Sequence, residues 1–164
     1  MISATQETEV SAVLEQRVNE VEGTLQWVDA LDERWSLGLS GSFQKRNGAV
    51  AAAALQWMSA RNEVISSRAI REGFAAARWP GRLQWMRWRG LRLRVDGAHN
   101  PPAAIELARE RCGWSSDGHR QIWILAIQAQ KQAPEMLQQL LERSEAALFR
   151  QWLQLLERLS QGRD

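Results

Sequence analysis

The stretch Trp79 to Pro101, WPGRLQWMRWRGLRLRVDGAHNP, decides the fold. Trp79-Pro80-Gly81 ends the helical pattern before it, because a residue preceding proline is pushed out of the helical region and glycine favours a turn. A domain boundary is expected there, dividing residues 1–78 from 79–164. Leu83 to Trp88 and Leu91 to Val95 flank Arg89-Gly90, the pattern of two paired strands joined by a tight turn. Leu91, Leu93 and Val95 alternate with Arg92 and Arg94, so one face is expected to be buried and the other basic and wet. At Asp96-Gly97-Ala98-His99-Asn100-Pro101 the grammar changes to strand, glycine turn and helix start, with asparagine in the cap position and proline at the first helical position.

Working outward, Ala104, Ile105, Ala108 and Cys112 form the apolar stripe of the helix that Pro101 opens. The run Gln121 to Ile127 is apolar almost throughout, as a strand covered on both faces would be, and Met136, Leu137, Leu140 and Leu141 mark another amphipathic helix. Strand, helix, strand, helix is the order of a parallel α/β sheet. Leu148, Trp152, Leu155, Leu156 and Leu159 share one helical face, so a terminal helix is expected. Upstream, Val10, Val13, Leu14 and Val21 follow helical spacing, Leu25 to Val28 reads as a short strand, and a further strand is expected at Trp35 to Leu39. Val50, Ala54, Trp57 and Met58 are the expected buried face of an alanine-rich helix. Ser66 or Ser67 caps the next one, which carries Ile70, Phe74 and Ala77 on one side.

The chain has 164 residues, 45% apolar and 24% charged, enough to bury a core. No apolar run approaches the roughly 20 residues of a membrane span, and the start MISATQETEV lacks the pattern of a secretory signal, so a cytoplasmic protein without a membrane partner is expected. Cys112 is the only cysteine, which excludes an internal disulfide and a cysteine-built zinc site. The net charge of +2 is uneven: Arg82, Arg87, Arg89, Arg92 and Arg94 fall in one stretch that holds no acid before Asp96.

In open α/β sheets ligands collect beyond the carboxyl ends of strands, and free N–H groups at a helix N-terminus attract phosphate or carboxylate. Asp96 at a strand end has the chemistry to accept hydrogen bonds from ribose hydroxyls, and His99 to donate to an anionic oxygen or carry a proton. The plain alternative makes Asp96 and Asn100 turn and cap residues and His99 a surface histidine. WPGR followed after a hairpin by DGAHNP resembles the paired signatures of the folylpolyglutamate synthase and dihydrofolate synthase family, within the Mur ligase superfamily. Upstream, LGLSGSFQKRNGAVAAAAL resembles that family's segment ending in Gln-x-x-Asn-Ala before an alanine-rich helix, and AIREGFAAARWPGRLQ continues the likeness.

The resemblance spans roughly Ile2 to Leu141. It implies an α/β fold: the C-terminal part of a Mur ligase central, ATP-binding domain, followed by a Rossmann-like C-terminal ligase domain that is truncated or altered at its end. It also implies an ATP- and magnesium-dependent ligase that joins the carboxylate of a folate or dihydropteroate to L-glutamate through an acyl phosphate. Carried over by resemblance, Asn47 approaches adenine, Arg82 contacts phosphate, Asp96 holds the ribose, Asn100 shapes the turn, and His99, the candidate catalytic residue, lies near the phosphates. No metal ligand is carried over.

The departures are as informative. The 164 residues contain no G-x-x-x-x-G-K-[ST] phosphate loop, nor the family's magnesium-binding acid and histidine or its central-domain lysine. Phe43 stands where many relatives have histidine, and Gln132 follows Lys131 where the family tends to have an acid, so Lys131 receives no role. The chain is therefore expected to be inactive alone, with a missing N-terminal half of the same enzyme as its natural complement. A rival reading makes the arginine-rich hairpin, with Trp85 and Trp88 interleaved, a non-catalytic module for single-stranded nucleic acid. A solvated or interdomain face is the blander account of those residues, so nucleic acid is not the expected partner. A fragment with no activity of its own is the third reading.

Overall fold

A computed structural model describes residues 1–61, 64–111, 113–114, 122–128 and 131–141. The chain divides into two compact units, Met1–Asp96 and Gly97–Asp164.

The first unit opens with β1 (Ile2–Ala4), α1 (Thr8–Glu20) and β2 (Gln26–Val28). β1 and β2 pair in parallel, Ser3 opposite Trp27. Parallel neighbours need a crossover, which α1 supplies, so residues 2–28 form a βαβ unit; the parallel α/β order expected after residue 79 is not what builds it. α2 (Gln44–Ser59) packs against both strands, and α3 (Ser67–Ala76) packs against α2. Ser66 caps α3 by accepting the Ala69 N–H at 3.1 Å. Ile70 of α3 joins Val18, Ala49, Ala52 and Ala53 in the core.

The buried side of α2 differs from expectation. Ala49, Ala52 and Ala53 are buried with Gln44, whereas Trp57 and Met58 are exposed and Val50 and Ala54 only half-buried. Small side chains admit the close approach of β1 and β2, and the bulky residues turn outward. The guanidinium of Arg61 lies 3.7 Å from the centroid of the Trp57 ring.

The strand expected at Trp35 to Leu39 does not form. The segment instead runs as a loop against the C-terminal turn of α3, where Gly38 N–H donates to Phe74 O at 2.8 Å. The Trp35 ring packs on Phe74 with centroids 5.6 Å apart. The backbone groups that a ladder would have used are thus spent on a helix terminus.

β3 (Gln84–Trp88) and β4 (Leu91–Val95) pair antiparallel, with Trp88 opposite Leu91 and Trp85 opposite Arg94. Arg89 and Gly90 form the loop at φ 48° and 81°. Positive φ at both positions is the geometry that matches the twist of a two-residue hairpin. The register puts Leu91, Leu93 and Val95 on one face with Met86 and Trp88, as the alternation predicts. That face is not buried: Leu91 is 59% and Trp88 55% exposed. On the other face Arg92 and Arg94 lie over the Trp85 ring, at 4.8 and 4.4 Å from its centroid.

In the second unit α4 (Pro101–Arg111) and α5 (Ala133–Leu141) pack on one another. Ala104 and Leu107 are buried in α4, Met136, Leu140 and Leu141 in α5, and the Arg111 guanidinium donates to Leu140 O at 2.9 Å. The strand expected at 121–127 is absent among the described residues of that run, and Ile122 and Ile124 are 87% and 90% exposed. An apolar run becomes a strand only beside a partner, and no partner strand accompanies it among the described residues. Cys112, Gln121 and the terminal run 148–159 lie outside the described residues.

Candidate nucleotide-facing site

The residues singled out by sequence fall in both units, and each set has its own local construction. In the first unit, Arg82 occupies a turn between two residues at positive φ, Gly81 at 72° and Leu83 at 43°. Glycine reaches that region without steric cost, but leucine does so only when its surroundings hold it there. Three contacts provide the hold. Gly81 N–H donates to the side-chain carbonyl Oε1 of Gln84 at 3.0 Å, and Leu83 N–H donates to Asp96 Oδ2 at 2.9 Å.

The third contact is the Leu83 side chain, which is fully buried. It lies so near Gly41 that a Cβ there would stand 2.8 Å from Leu83 Cδ1 and 2.7 Å from the Phe43 ring. Gly41 itself has φ 109°, so glycine serves at this position both conformation and space.

Arg82, in contrast, is exposed and forms no ion pair among the described residues. A guanidinium on a pinned loop, with its charge uncommitted there, suits an anionic oxygen better than a flexible surface arginine would. Asp96 follows β4 directly, and at least one of its carboxylate oxygens serves the fold. A carboxylate offers about four lone-pair sites, so more than one donor can share it.

Asn47 lies in the first turns of α2, where its side-chain amide donates to Gln44 Oε1 at 3.0 Å. Gln44 and Asn47, the polar pair of the upstream motif, therefore hold each other. Gly48 beside them admits Leu31, whose Cδ1 would be 2.7 Å from a Cβ at that position.

In the second unit, Asn100 Oδ1 accepts the Ala103 N–H at 2.9 Å and Asn100 O accepts Ala104 N–H at 3.0 Å, which caps α4 just ahead of Pro101. His99 Nδ1 lies 3.0 Å from Gly97 O. A carbonyl only accepts, so Nδ1 carries the hydrogen and Nε2 is left to accept when the ring is neutral. His99 is exposed.

The structure links the Arg82 turn to Asp96 through Leu83, keeps Asn47 within the same unit, and sets His99 and Asn100 at the head of α4 in the other unit. The sequence alone does not point to Leu83 and Gln84, which fix the Arg82 turn. Positive φ at a leucine leaves no mark in a sequence, and a glutamine accepting from a residue three places earlier looks like any polar strand residue. Among the described residues no group of three His, Cys, Asp or Glu side chains is arranged to hold a metal ion.

Part of this chain has counterparts in known proteins. The chain is 37% identical over 71 residues to the dihydrofolate synthase/folylpolyglutamate synthase of Bacillus subtilis (strain 168), a match covering 43% of this chain and 16% of that one. Over that segment the chain is similar to the folylpolyglutamate synthase/dihydrofolate synthase family.

A probable dihydrofolate synthetase of Schizosaccharomyces pombe is 28% identical over 116 residues, covering 70% of this chain and 28% of its own length. The described fold matches a solved folylpolyglutamate synthase bound to AMPPCP and folate with a TM-score of 0.63, 21% identity, and coverage of 71% of this chain and 34% of that one. These matches carry the α/β fold class of the family, and this chain spans only a minor part of each relative. No family model matches the chain.

Proposed function

We propose that this chain supplies nucleotide-facing residues of a cytoplasmic ATP-dependent folate ligase: Arg82 and Asp96 from the first unit, and His99 from the second. In that reading ATP transfers its γ-phosphate to a carboxylate of a folate or dihydropteroate, forming an acyl phosphate and ADP. The amine of L-glutamate then attacks the acyl carbon and expels phosphate. Charge on the transferring phosphoryl group is met mainly by positioned positive charge. The observation that carries the reading is the Arg82 turn: an exposed guanidinium between two anchored positive-φ residues, in a WPGR motif that precedes DGAHNP.

Asp96 holds the ribose, Asn47 approaches the adenine, and Asn100 shapes the turn by capping α4. His99 lies near the phosphates, with Nε2 available to them as donor when the ring is protonated. In descent, residues 1–78 belong to the central ATP-binding domain and 79–164 to the C-terminal ligase domain. Magnesium accompanies ATP in this chemistry. Among the described residues no group of three or more His, Cys, Asp or Glu side chains is arranged to hold it.

The 164 residues alone are proposed not to turn over, because no stretch of them can form the glycine-rich loop that cradles phosphates. A segment bearing that loop is the partner this reading requires. The test is to incubate the purified chain, free of host enzyme, with ATP, magnesium, tetrahydrofolate or dihydropteroate and radiolabelled glutamate. No glutamylated product is expected from the chain alone. Product that tracks chain concentration would overturn the claim of inactivity, and failure to bind ATP would overturn the nucleotide-site claim.

A further inference from the structure

The turn that presents Arg82 is strained, and the strain has an identifiable restraint. Leu83 sits at φ 43°, a region costly for a residue with a branched side chain, and such outliers persist only where the surroundings over-determine them. Burial fixes the Leu83 side chain, but burial alone does not select the orientation of the peptide plane joining Arg82 to Leu83. That plane is selected by Asp96 Oδ2, which accepts the Leu83 N–H across thirteen residues of chain. The Gly81 N–H is fixed to Gln84 on the other side. Arg82 is thus an exposed residue in a turn anchored immediately before and after it.

We infer that Asp96 is a positioning residue for Arg82: its carboxylate holds the Leu83 amide, and through it aims the Arg82 guanidinium at the phosphates of a bound nucleotide. The inference rests on the nucleotide-site reading and adds to it a coupling between two residues otherwise given separate tasks. If Asp96 served only the ribose, its removal would weaken nucleotide binding whether or not Arg82 is present. If it also sets Arg82, much of its effect disappears once Arg82 is gone.

A double-mutant cycle on the full chain separates these. ATP affinity is measured for wild type, Arg82→Ala, Asp96→Ala and the double variant, with Asp96→Asn as the conservative control because its amide oxygen still accepts from Leu83. Hydrogen exchange at the Leu83 amide is read in parallel. The expected result is that Asp96→Ala weakens ATP binding about tenfold in the wild-type background and by no more than about threefold when Arg82 is already alanine. Leu83 exchange should accelerate in Asp96→Ala and stay slow in Asp96→Asn, and Asp96→Asn should recover part of the ATP affinity. Equal losses in both backgrounds, or unchanged Leu83 exchange in Asp96→Ala, would overturn the inference while leaving the nucleotide site standing. No ATP binding by the wild-type chain would overturn both.

Discussion

Leu83 donates its backbone N–H to Asp96 Oδ2 at 2.9 Å, so the residue after Arg82 is tied to the residue that ends the hairpin. The residue that follows WPGR and the first residue of DGAHNP are therefore joined by a hydrogen bond as well as by the chain between them.

Leu83 is fully buried at positive φ, and its replacement tests how much the turn depends on its anchor. Leu83→Ala removes a buried side chain with partial collapse of the space, and a loss of about 2–4 kcal/mol is expected. Urea unfolding of the two proteins measures it. Gly41→Ala should also destabilise, by more than about 1 kcal/mol, since it meets both a φ of 109° and the Phe43 ring.

Asn100 caps α4 through the Ala103 N–H. Asn100→Ala should cost about 1 kcal/mol and Asn100→Asp much less, because aspartate offers the same acceptor in the same place. Thermal unfolding followed by circular dichroism distinguishes the pair. Equal loss from both would mean that the asparagine acts by something other than capping.

Gly90 has φ 81° in the hairpin loop, with open space around its Cα. Gly90→Ala therefore costs backbone conformation alone, about 1 kcal/mol, and Gly90→Asn less, because asparagine tolerates the left-handed region. The comparison is made by denaturant titration.

Asp32 carries a pH signature with a resolved cause. The hydrogen bonds from the Arg34 side chain and backbone hold its carboxyl below the usual carboxylate range, against a smaller opposing effect of desolvation. A depressed carboxylate contributes stability that is present at neutral pH and is lost as pH falls through the folded value. The pair is fully exposed, so the contribution is small and screened by salt. Asp32→Asn should leave stability at neutral pH nearly unchanged and slightly flatten its decline in acid, measured by urea midpoints along a pH series.

The elements that local chemistry specifies were legible from sequence. Arg89-Gly90 announces a two-residue loop, Asn100-Pro101 announces a helix start, and the helical spacings near 8–20, 67–76 and 133–141 correspond to α1, α3 and α5. What escaped depends on partners distant in the chain. Ile2–Ala4 is too short to signal a strand and exists because Gln26–Val28 lies beside it. Trp57 and Met58 rank as core by hydrophobicity, yet alanines face β1 and β2 because only small residues fit there. The runs 35–39 and 121–127 carry strand propensity without a ladder among the described residues, and propensity yields when no neighbour supplies one. At the candidate site, Arg82, Asp96, His99 and Asn100 were named by motif, whereas the restraint that aims Arg82 required coordinates.

The role proposed for Arg82 is to face the phosphates of a bound nucleotide. The most direct measurement is an ATP titration of the isotope-labelled chain followed by backbone amide NMR, repeated with Arg82→Ala. Saturable shifts are expected at Gly81 to Leu83 and at Asp96, reduced about tenfold in affinity by the substitution. Shifts that are absent at millimolar ATP, or that persist unchanged without the Arg82 guanidinium, would contradict it.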